Sequence, residues 1–533
     1  MLRVFPNFIL FISFLLWGCS KDAAQDSYEA RAEDEIPSSQ TYGKPTRFTV
    51  VAYNVENLFD IDGKSNFPDY RPPSLEHPRG YTASHLLTKL ENIAEVLSKF
   101  RNGEGPDIIL FQELESDLTP NDWDGTFEQF LAETENLSTY EILTSELAEN
   151  YQHLPIEVWL WRILFETGLG DYNVAMADHR NNPLGRPTAH RNGIFTKFPI
   201  ISSDTHHSAG ARSIQEVKVD IDGNALTLFN NHWKSGTASE ESELIRTGNA
   251  RVLRTRVDAV LKENPQADFI IAGDFNSHYN QKYLFPGMER TGINDVLGIQ
   301  GDELAIRTTE DPNAPSLYSL WYELPAEKRY SEIFNFEHYT LMNMIIPRGL
   351  YDYQGIQYVD NSFRVIAVPG LNANEISGVP KRWSFANNGY GYSDHFPIAA
   401  NFTTVLKTIP ERYLFLEKPT IEPVPPQKIH QVNFRKFDLK KAIKTTELPP
   451  TSHLQNSLNY GNILYVEADV THQKPFKVQV DSETFVLWSH DKKLRTLIFT
   501  HYRIGEKMKF YAELNQYRGN WQFVIHDPSW LIE

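Results

Sequence analysis

Five short polar clusters carry the side chains that could do chemistry. They are Asn54-Val55-Glu56, Gln112-Glu113, Asn231-His232-Trp233-Lys234-Ser235, Gly273-Asp274-Phe275-Asn276 and Ser393-Asp394-His395. Together they hold four carboxylates, several amides and two imidazoles, groups that accept, donate and transfer protons. Each cluster lies at the end of an apolar run of strand length, where a rigid scaffold typically presents functional residues. Taken singly, each has a plainer reading. An Asp-His pair is often a surface hydrogen bond, an asparagine after a strand is often a turn residue, and Glu113 alone reads as a solvated strand terminus.

The elements that must position these groups follow from periodicity. Arg47–Tyr53 is β-branched and apolar and predicts a buried strand. A Pro/Gly/Asp-rich loop follows from Asp60 to Gly80. Leu86, Leu90, Ile93, Leu97 and Phe100 then recur at helical spacing. Asp107–Glu113 predicts a second core strand, with further strands at Asn192–Lys197, Ile214–Asp220, Ala225–Asn231, Asp268–Asp274 and Phe396–Phe402. Ser239–Lys262 reads as a helix with one polar side, and Asp222-Gly223 as a hairpin turn. Trp159 and Trp161 lie in an apolar stretch, Pro155–Phe165, that reads as core or lid helix. The adjacent pair His206-His207 reads as solvated loop. Alternating strands and helices with hairpins between them predict an α/β (α+β) fold: a four-layer sandwich of two packed mixed sheets flanked by helices.

Composition bounds the alternatives. Hydrophobic residues make up 41% and aromatics 13%, enough to build a large core and to exclude wholesale disorder. The single cysteine excludes an intramolecular disulfide and a multi-cysteine metal site. The net charge of -18 argues against holding nucleic acid by bulk charge. The charge is uneven: from Val405 onward 18 basic side chains face 14 acidic ones, and the chain totals of 51 and 69 leave 33 against 55 for the rest. Arg3 followed by the apolar run Phe8–Trp17 is too short to span a bilayer and fits a signal-peptide core. Residues 1–18 are therefore expected to be a signal peptide, with Leu16-Trp17-Gly18-Cys19 similar to a bacterial lipoprotein signal in which Cys19 is lipidated. Residues 19–45 read as a flexible acidic tether, 46–405 as the main domain, 406–459 as a Pro-containing linker and 460–533 as a separate all-β module. The expectation is a bacterial cell-envelope location, lipid-anchored at the outer membrane or cell surface.

The order and wording of the five clusters, with "NNHWKS" and "AGDFNS" followed by Ser-Asp-His, resemble the endonuclease/exonuclease/phosphatase superfamily of Mg²⁺-dependent phosphoesterases, in particular its bacterial secreted-nuclease branch. The resemblance implies the sandwich, the metal and phosphoester chemistry. It implies Mg²⁺, with Mn²⁺ as the alternative ion, held by Glu113 with contributions from Glu56 and Asp394. It implies that Asp274 orients and deprotonates the attacking water. Asn276 and Asn54 would position Asp274 or the phosphate, and His232 and His395 would donate to phosphate oxygens. Lys234 and Arg191 are further candidate phosphate contacts. In the family a strand between the last two clusters carries an Asp that bonds the final histidine; here the alignment puts Met342 there, and Met accepts no strong hydrogen bond. Asn343 would face away, and Glu337 is another candidate partner. The chain's end, Arg503-Ile504-Gly505-Glu506 through Gly519-Asn520-Trp521-Gln522 to Asp527-Pro528, resembles the last strands of OB-fold modules. Such a module could bind single-stranded nucleic acid, with Tyr502, Tyr511, Tyr517 and Trp521 as candidate stacking residues. Three functions stay open at this point: a nuclease acting on extracellular DNA or RNA, a phosphoesterase acting on phospholipid or sugar phosphate, and an impaired family member serving as a surface binding protein.

Overall fold

A computed structural model describes residues 44–75, 80–120, 126–178, 188–309, 316–385, 388–405, 424–448, 454–517 and 520–532. Cys19, the expected signal peptide, the tether through residue 43 and linker residues 406–423 lie outside the described residues. In chain order the strands of the main domain are β1 (Arg47–Leu58), β2 (Ile108–Glu115), β3 (Asn173–Met176), β4 (His190–Thr196), β5 (Ile200–His206), β6 (Ile214–Ile221), β7 (Asn224–His232), β8 (Phe269–Asp274), β9 (Ile299–Gln300), β10 (Leu317–Ser319), β11 (Glu332–Phe334), β12 (Glu337–Tyr339), β13 (Met342–Pro347), β14 (Ile356–Tyr358), β15 (Arg364–Val365) and β16 (Ile398–Thr404). One mixed sheet runs β14-β16-β1-β2-β4-β3 with β15 beside β16; the other runs β5-β6-β7-β8-β13-β10-β9.

Each sheet has a parallel pair at its centre, and the second adds a short one, β9 with β10, at its edge. β1 runs parallel to β2, and β7 parallel to β8. The sheets pack face to face because alternate side chains on each strand are apolar: Val50 and Ala52, Ile108 and Leu110 from one sheet meet Leu226 and Leu228, Ile270 and Ala272 from the other. The opposite face of the first sheet, including Val51, Tyr53, Ile109 and Phe111, is covered by the helices Ala83–Leu97 and Ile156–Glu166. The helix Ile156–Glu166 buries Trp159 and Trp161, so that stretch is core. Helix Glu240–Glu263 lies along the second sheet, its Ala250, Leu253 and Val257 entering the same core as the sheet residues. The alternation thus produces the expected two-sheet sandwich. His206 pairs with Glu216 at 2.6 Å and the His207 ring meets the Ser213 hydroxyl at 2.8 Å, so both histidines are satisfied locally.

The C-terminal strands are β17 (Ile443–Lys444), β18 (Ile463–Gln473), β19 (Phe476–Val480), β20 (Glu483–Trp488), β21 (Lys507–Tyr517), β22 (Asn520–Val524) and β23 (Leu531–Ile532). β18-β19-β20-β22-β21 close on themselves through a β18–β21 pairing, giving a five-strand barrel. Phe476, Val478, Val480, Met508, Phe510 and Phe523 point inward, as the alternation requires. A helix, Lys492–His501, spans the connection between β20 and β21 and buries Leu494 and Ile498. The alternation reading carried no helix here, because its apolar residues are few and set among charges.

The barrel is bolted to the sandwich. Asn374 donates to Gly461 O and Asn462 Oδ1, both at 3.2 Å. Ile376 packs onto the barrel core, and Lys441 pairs with Glu375 at 3.4 Å. On a second side Phe336, in the β11–β12 turn, lies 4.4 Å from the His526 ring and 5.1 Å from Phe434.

Candidate active site

The site lies where the two central parallel pairs end. Even-numbered residues of β1 face the second sheet, so Asn54 follows Val50 and Ala52 into the sandwich and emerges at its rim. Across from it, His232 and Asp274 sit side by side in register on β7 and β8. Gly273 makes that pairing possible: its φ is +128°, and a Cβ there would sit 2.1 Å from Asn231 O. Glu113 reaches the same point through an irregularity in β2, where the register with β4 shifts between Phe111 and Leu114. Its φ is +66°, and Glu56 (+49°), Asn57 (+65°) and Asn276 (+48°) share that left-handed region. Such strain in non-glycine residues costs about 1–3 kcal/mol each and gathers at functional sites.

The first half of the site is a tight cluster. Asn54 Nδ2 donates to Glu113 Oε1 at 3.1 Å and to Asp274 Oδ2 at 3.0 Å. Asn57 N donates to Glu113 Oε2 at 3.0 Å, and Asn276 N to Asp274 Oδ1 at 2.8 Å. His232 Nε2 lies 3.7 Å from Glu113 Oε1 and 3.5 Å from Asp274 Oδ2. Glu113, His232 and Asp274 each present one ligand atom within 4.8 Å of the others, a set that could hold a divalent cation. Two carboxylate oxygens and one imidazole nitrogen fit Mg²⁺ or Mn²⁺, which favour hard oxygen donors and accept imidazole.

The second half adjoins it through His395. His395 Nε2 is 3.7 Å from both Asp274 Oδ2 and Asp394 Oδ1. Glu56 is buried and accepts from Arg382 at 2.9 Å and from Trp383 N at 2.8 Å; Arg382 also reaches Asp394 at 3.3 Å. Arg382 therefore neutralises two carboxylates that sequence reasoning assigned to the metal, and the closest ligand set is Glu113, His232 and Asp274. Ser393 Oγ donates to Asn54 O at 2.7 Å and accepts from His395 N, locking the last cluster onto β1.

Electrostatics separate the two imidazoles. Burial, with the nearby Arg212, His190 and His395, holds His232 well below its ordinary value, so it is neutral. Burial also lowers His395, but Asp394, Asp274, Glu332 and Glu113 outweigh it and push His395 up to about 9. Burial raises Asp274, offset in part by His395 and by the Asn276 and Asn54 hydrogen bonds. Glu56 is raised by burial and by Asp394, against Arg382 and Lys89.

Of the residues singled out from sequence, Asn54, Glu113, His232, Asp274, Asn276, His395, Asp394 and Glu56 come together. Asn276 also donates through Nδ2 to Trp233 O at 3.2 Å, so it fixes the β7 and β8 ends to each other. Lys234 is half-buried beside His232, its amide bonded to Asn249. Arg191 is a correction: it is buried, paired with Glu157 at 2.6 Å and bonded to Glu115 O, so its guanidinium is engaged away from the cluster. Met342 stands opposite Asp274 in the β13–β8 register and is buried. Asn343 turns away and donates to Ser277, Thr340 and Leu341 carbonyls. Glu337 accepts from Tyr339 OH within its own hairpin, whereas Glu332 is the hairpin acid whose charge reaches His395. His395 Nδ1 has no hydrogen-bond partner among the described residues.

Two contributors were missed. Lys89 is fully buried and donates to Glu56 O and Tyr392 O; burial lowers it to about 8. Its signal was present, since a lysine falls on the apolar stripe of Leu86, Leu90 and Ile93. Arg382 gave no signal, because its partner Glu56 is 326 residues away.

The chain matches the Endonuclease/Exonuclease/phosphatase family over residues 49–124 and 191–404. Among solved structures it is similar to truncated TDP2 of Caenorhabditis elegans, at 14% identity over 68% of this chain and 98% of that one, with a TM-score of 0.34. It is also similar to a family protein of Bacteroides thetaiotaomicron, at 16% identity over 68% and 100% with a TM-score of 0.33. A family protein of Leptotrichia buccalis matches at 11% identity over 66% and 98%, with a TM-score of 0.36. No curated protein matches. The family match covers more than half of the chain and all five polar clusters, and on that ground the chain belongs to the endonuclease/exonuclease/phosphatase family.

Proposed function

We propose that this protein is a divalent-metal-dependent phosphodiesterase that hydrolyses nucleic acid, exported and anchored to the cell envelope through Cys19. The observation that carries the reading is the double donation of Asn54 Nδ2 to Glu113 and Asp274, which holds an acidic ligand set and a buried carboxylate base on one point. Mg²⁺ or Mn²⁺ held by Glu113 with His232 would offset the negative charge of the phosphodiester and leave Asp274 as the base. Asp274, raised by burial and fixed through both oxygens, accepts the proton of the attacking water at Oδ2. His395 donates to a non-bridging phosphate oxygen as charge builds there. Arg382 and Lys89 keep Glu56 and the Asp394 loop in place, so the charges around His395 are set before substrate arrives.

The test is digestion of single- and double-stranded DNA and RNA by the mature chain, with sphingomyelin and inositol phosphates alongside. Cleavage of nucleic acid that needs Mg²⁺ or Mn²⁺, stops with EDTA and is lost in Asp274→Asn is the expected result. Turnover confined to the lipid or sugar phosphates, or rates indifferent to EDTA and to Asp274→Asn, would overturn it. Loss of detergent-phase partitioning in Cys19→Ser tests the anchor.

A further inference from the structure

The two ring nitrogens of His395 have different surroundings. Nε2 faces the reacting groups, 3.7 Å from both Asp274 Oδ2 and Asp394 Oδ1. Nδ1 is buried and has no hydrogen-bond partner among the described residues. An imidazole that works through one nitrogen is held in its tautomer and orientation by an acceptor on the other. The strand beside β8 supplies none: Met342 lies opposite Asp274, and a thioether is a weak acceptor. The hairpin β11–β12 brings an acid instead. Ser331, the residue before β11, is tied to both sides of the site. Its carbonyl oxygen accepts from Phe396 N, next to His395, at 2.6 Å, and its Oγ accepts from Met342 N at 3.1 Å. Glu332 follows directly, half-buried and paired across the hairpin with Tyr339. Four acids bear on His395, namely Asp394, Asp274, Glu332 and Glu113. Asp394 and Asp274 stand at Nε2, and Glu113 accepts from Asn54 and Asn57 N. Glu332 alone of the four is uncommitted. Burial pushes it up to about 7, and His395 is the strongest charge opposing that rise. Asp394 and Asp274 add to the rise, and Arg382 offsets it.

We propose that Glu332 is the positioning residue of His395: its carboxylate turns onto Nδ1–H and accepts from it, which keeps Nε2 aimed at the phosphate oxygen. The hairpin thereby supplies, from outside the β8–β13 pair, the acceptor that Met342 withholds. This assignment rests on the phosphodiesterase reading above and names what holds one of its proton donors.

The experiment measures kcat and KM for bis(p-nitrophenyl) phosphate with Mg²⁺, and the melting temperature, in the full mature chain and four variants. These are Glu332→Ala, Glu332→Gln, Glu337→Ala and the double variant Glu332→Ala/Met342→Asp. Glu332→Ala should lower kcat by about 10–100-fold with KM near wild type, the scale of losing the group that orients a working histidine. Glu332→Gln keeps the side chain's size and a weaker acceptor oxygen, so its kcat should fall by less. Glu337→Ala, in the same hairpin, should leave both constants unchanged. Met342→Asp supplies a carboxylate from the neighbouring strand and should restore kcat about 10-fold over Glu332→Ala alone. A folded Glu332→Ala within about threefold of wild-type kcat overturns the assignment and leaves the phosphodiesterase reading standing. A double variant no faster than Glu332→Ala also overturns it, as does an equal loss in Glu337→Ala, which assigns the hairpin to support alone. If Glu332→Ala does not fold, a Glu332→Gln protein with wild-type kcat overturns it. A wild-type protein without metal-dependent turnover of the diester overturns the phosphodiesterase reading and the assignment with it.

Discussion

Asn54→Ala is the most direct probe of the site. The Asn54 amide group donates to Glu113 Oε1 and Asp274 Oδ2 at 3.1 and 3.0 Å, and its Oδ1 accepts from Glu56 N. Hydrogen bonds to charged partners contribute about 1.5–3 kcal/mol each. Both carboxylates keep a second donor, Asn57 N for Glu113 and Asn276 N for Asp274. The combined loss is therefore set at the lower end, ~3 kcal/mol, or roughly 150-fold in kcat/KM. Part of it should appear as weaker metal binding, since two like charges lose the donor that holds them together. The assay is hydrolysis of bis(p-nitrophenyl) phosphate and of a labelled oligonucleotide across a Mg²⁺ titration, with circular dichroism to verify the fold. Asn54→Asp keeps the shape but replaces two donors with a further negative charge; it should be slower than Asn54→Ala at low Mg²⁺ and recover partly at high Mg²⁺. A well-folded Asn54→Ala that stays within threefold of wild type at every Mg²⁺ concentration would show that the bridge does not organise catalysis.

Asp274→Asn should lower kcat by ~10²–10⁴-fold while leaving KM within a few-fold, as expected for removal of a proton acceptor; steady-state kinetics on the small diester measure it. Gly273→Ala must place a Cβ 2.1 Å from Asn231 O at a φ of +128°, so urea unfolding should show a loss of ~3 kcal/mol or more. Asp268 is raised to about 8 by burial, against the Ile356 N–H that donates to its Oδ2. The folded state therefore holds a proton that the unfolded chain releases near pH 4, and this contribution to stability falls as pH rises from about 4 to 8. Asp268→Asn keeps the Ile356 hydrogen bond without the ionisation, so its melting temperature should exceed that of wild type at pH 8, by ~1–2 kcal/mol in stability, and the difference should shrink toward pH 4. Melting curves at pH 5, 7 and 9 check the sign.

The site's polar core could be read from sequence because its residues terminate apolar strands. Asn54, Glu113, His232 and Asp274 each close a run whose alternation fixes the face it buries, and the register of β7 with β8 then puts His232 beside Asp274. Strand register likewise fixes Met342 opposite Asp274. Counter-charges were harder. Whether Glu56 and Asp394 serve a metal or a guanidinium depends on Arg382, delivered by an irregular loop with no period. Arg191 misled because a strand-end arginine near the clusters looks like a phosphate contact until a helix brings Glu157 to it. The barrel was visible in its inward residues, but its bolt to the Arg382 loop runs through Asn374 and Gly461, two residues whose types carry no signal of a long-range contact.

The position of β16 has a consequence for biogenesis. β16 is the last strand of the sandwich in the chain, yet it lies inside its sheet, between β1 and the edge strands β14 and β15, paired with β1 from Arg47↔Thr403 to Ala52↔Ile398. The ribosome releases the N-terminal half first, at about 5–20 residues per second. Until residue 404 has emerged, the edge of β1 that β16 covers stays bare, and His395 and Asp394 are missing from the reacting groups. A partly made chain thus carries no assembled centre, and the five polar clusters converge only after nearly all of the sandwich has been translated.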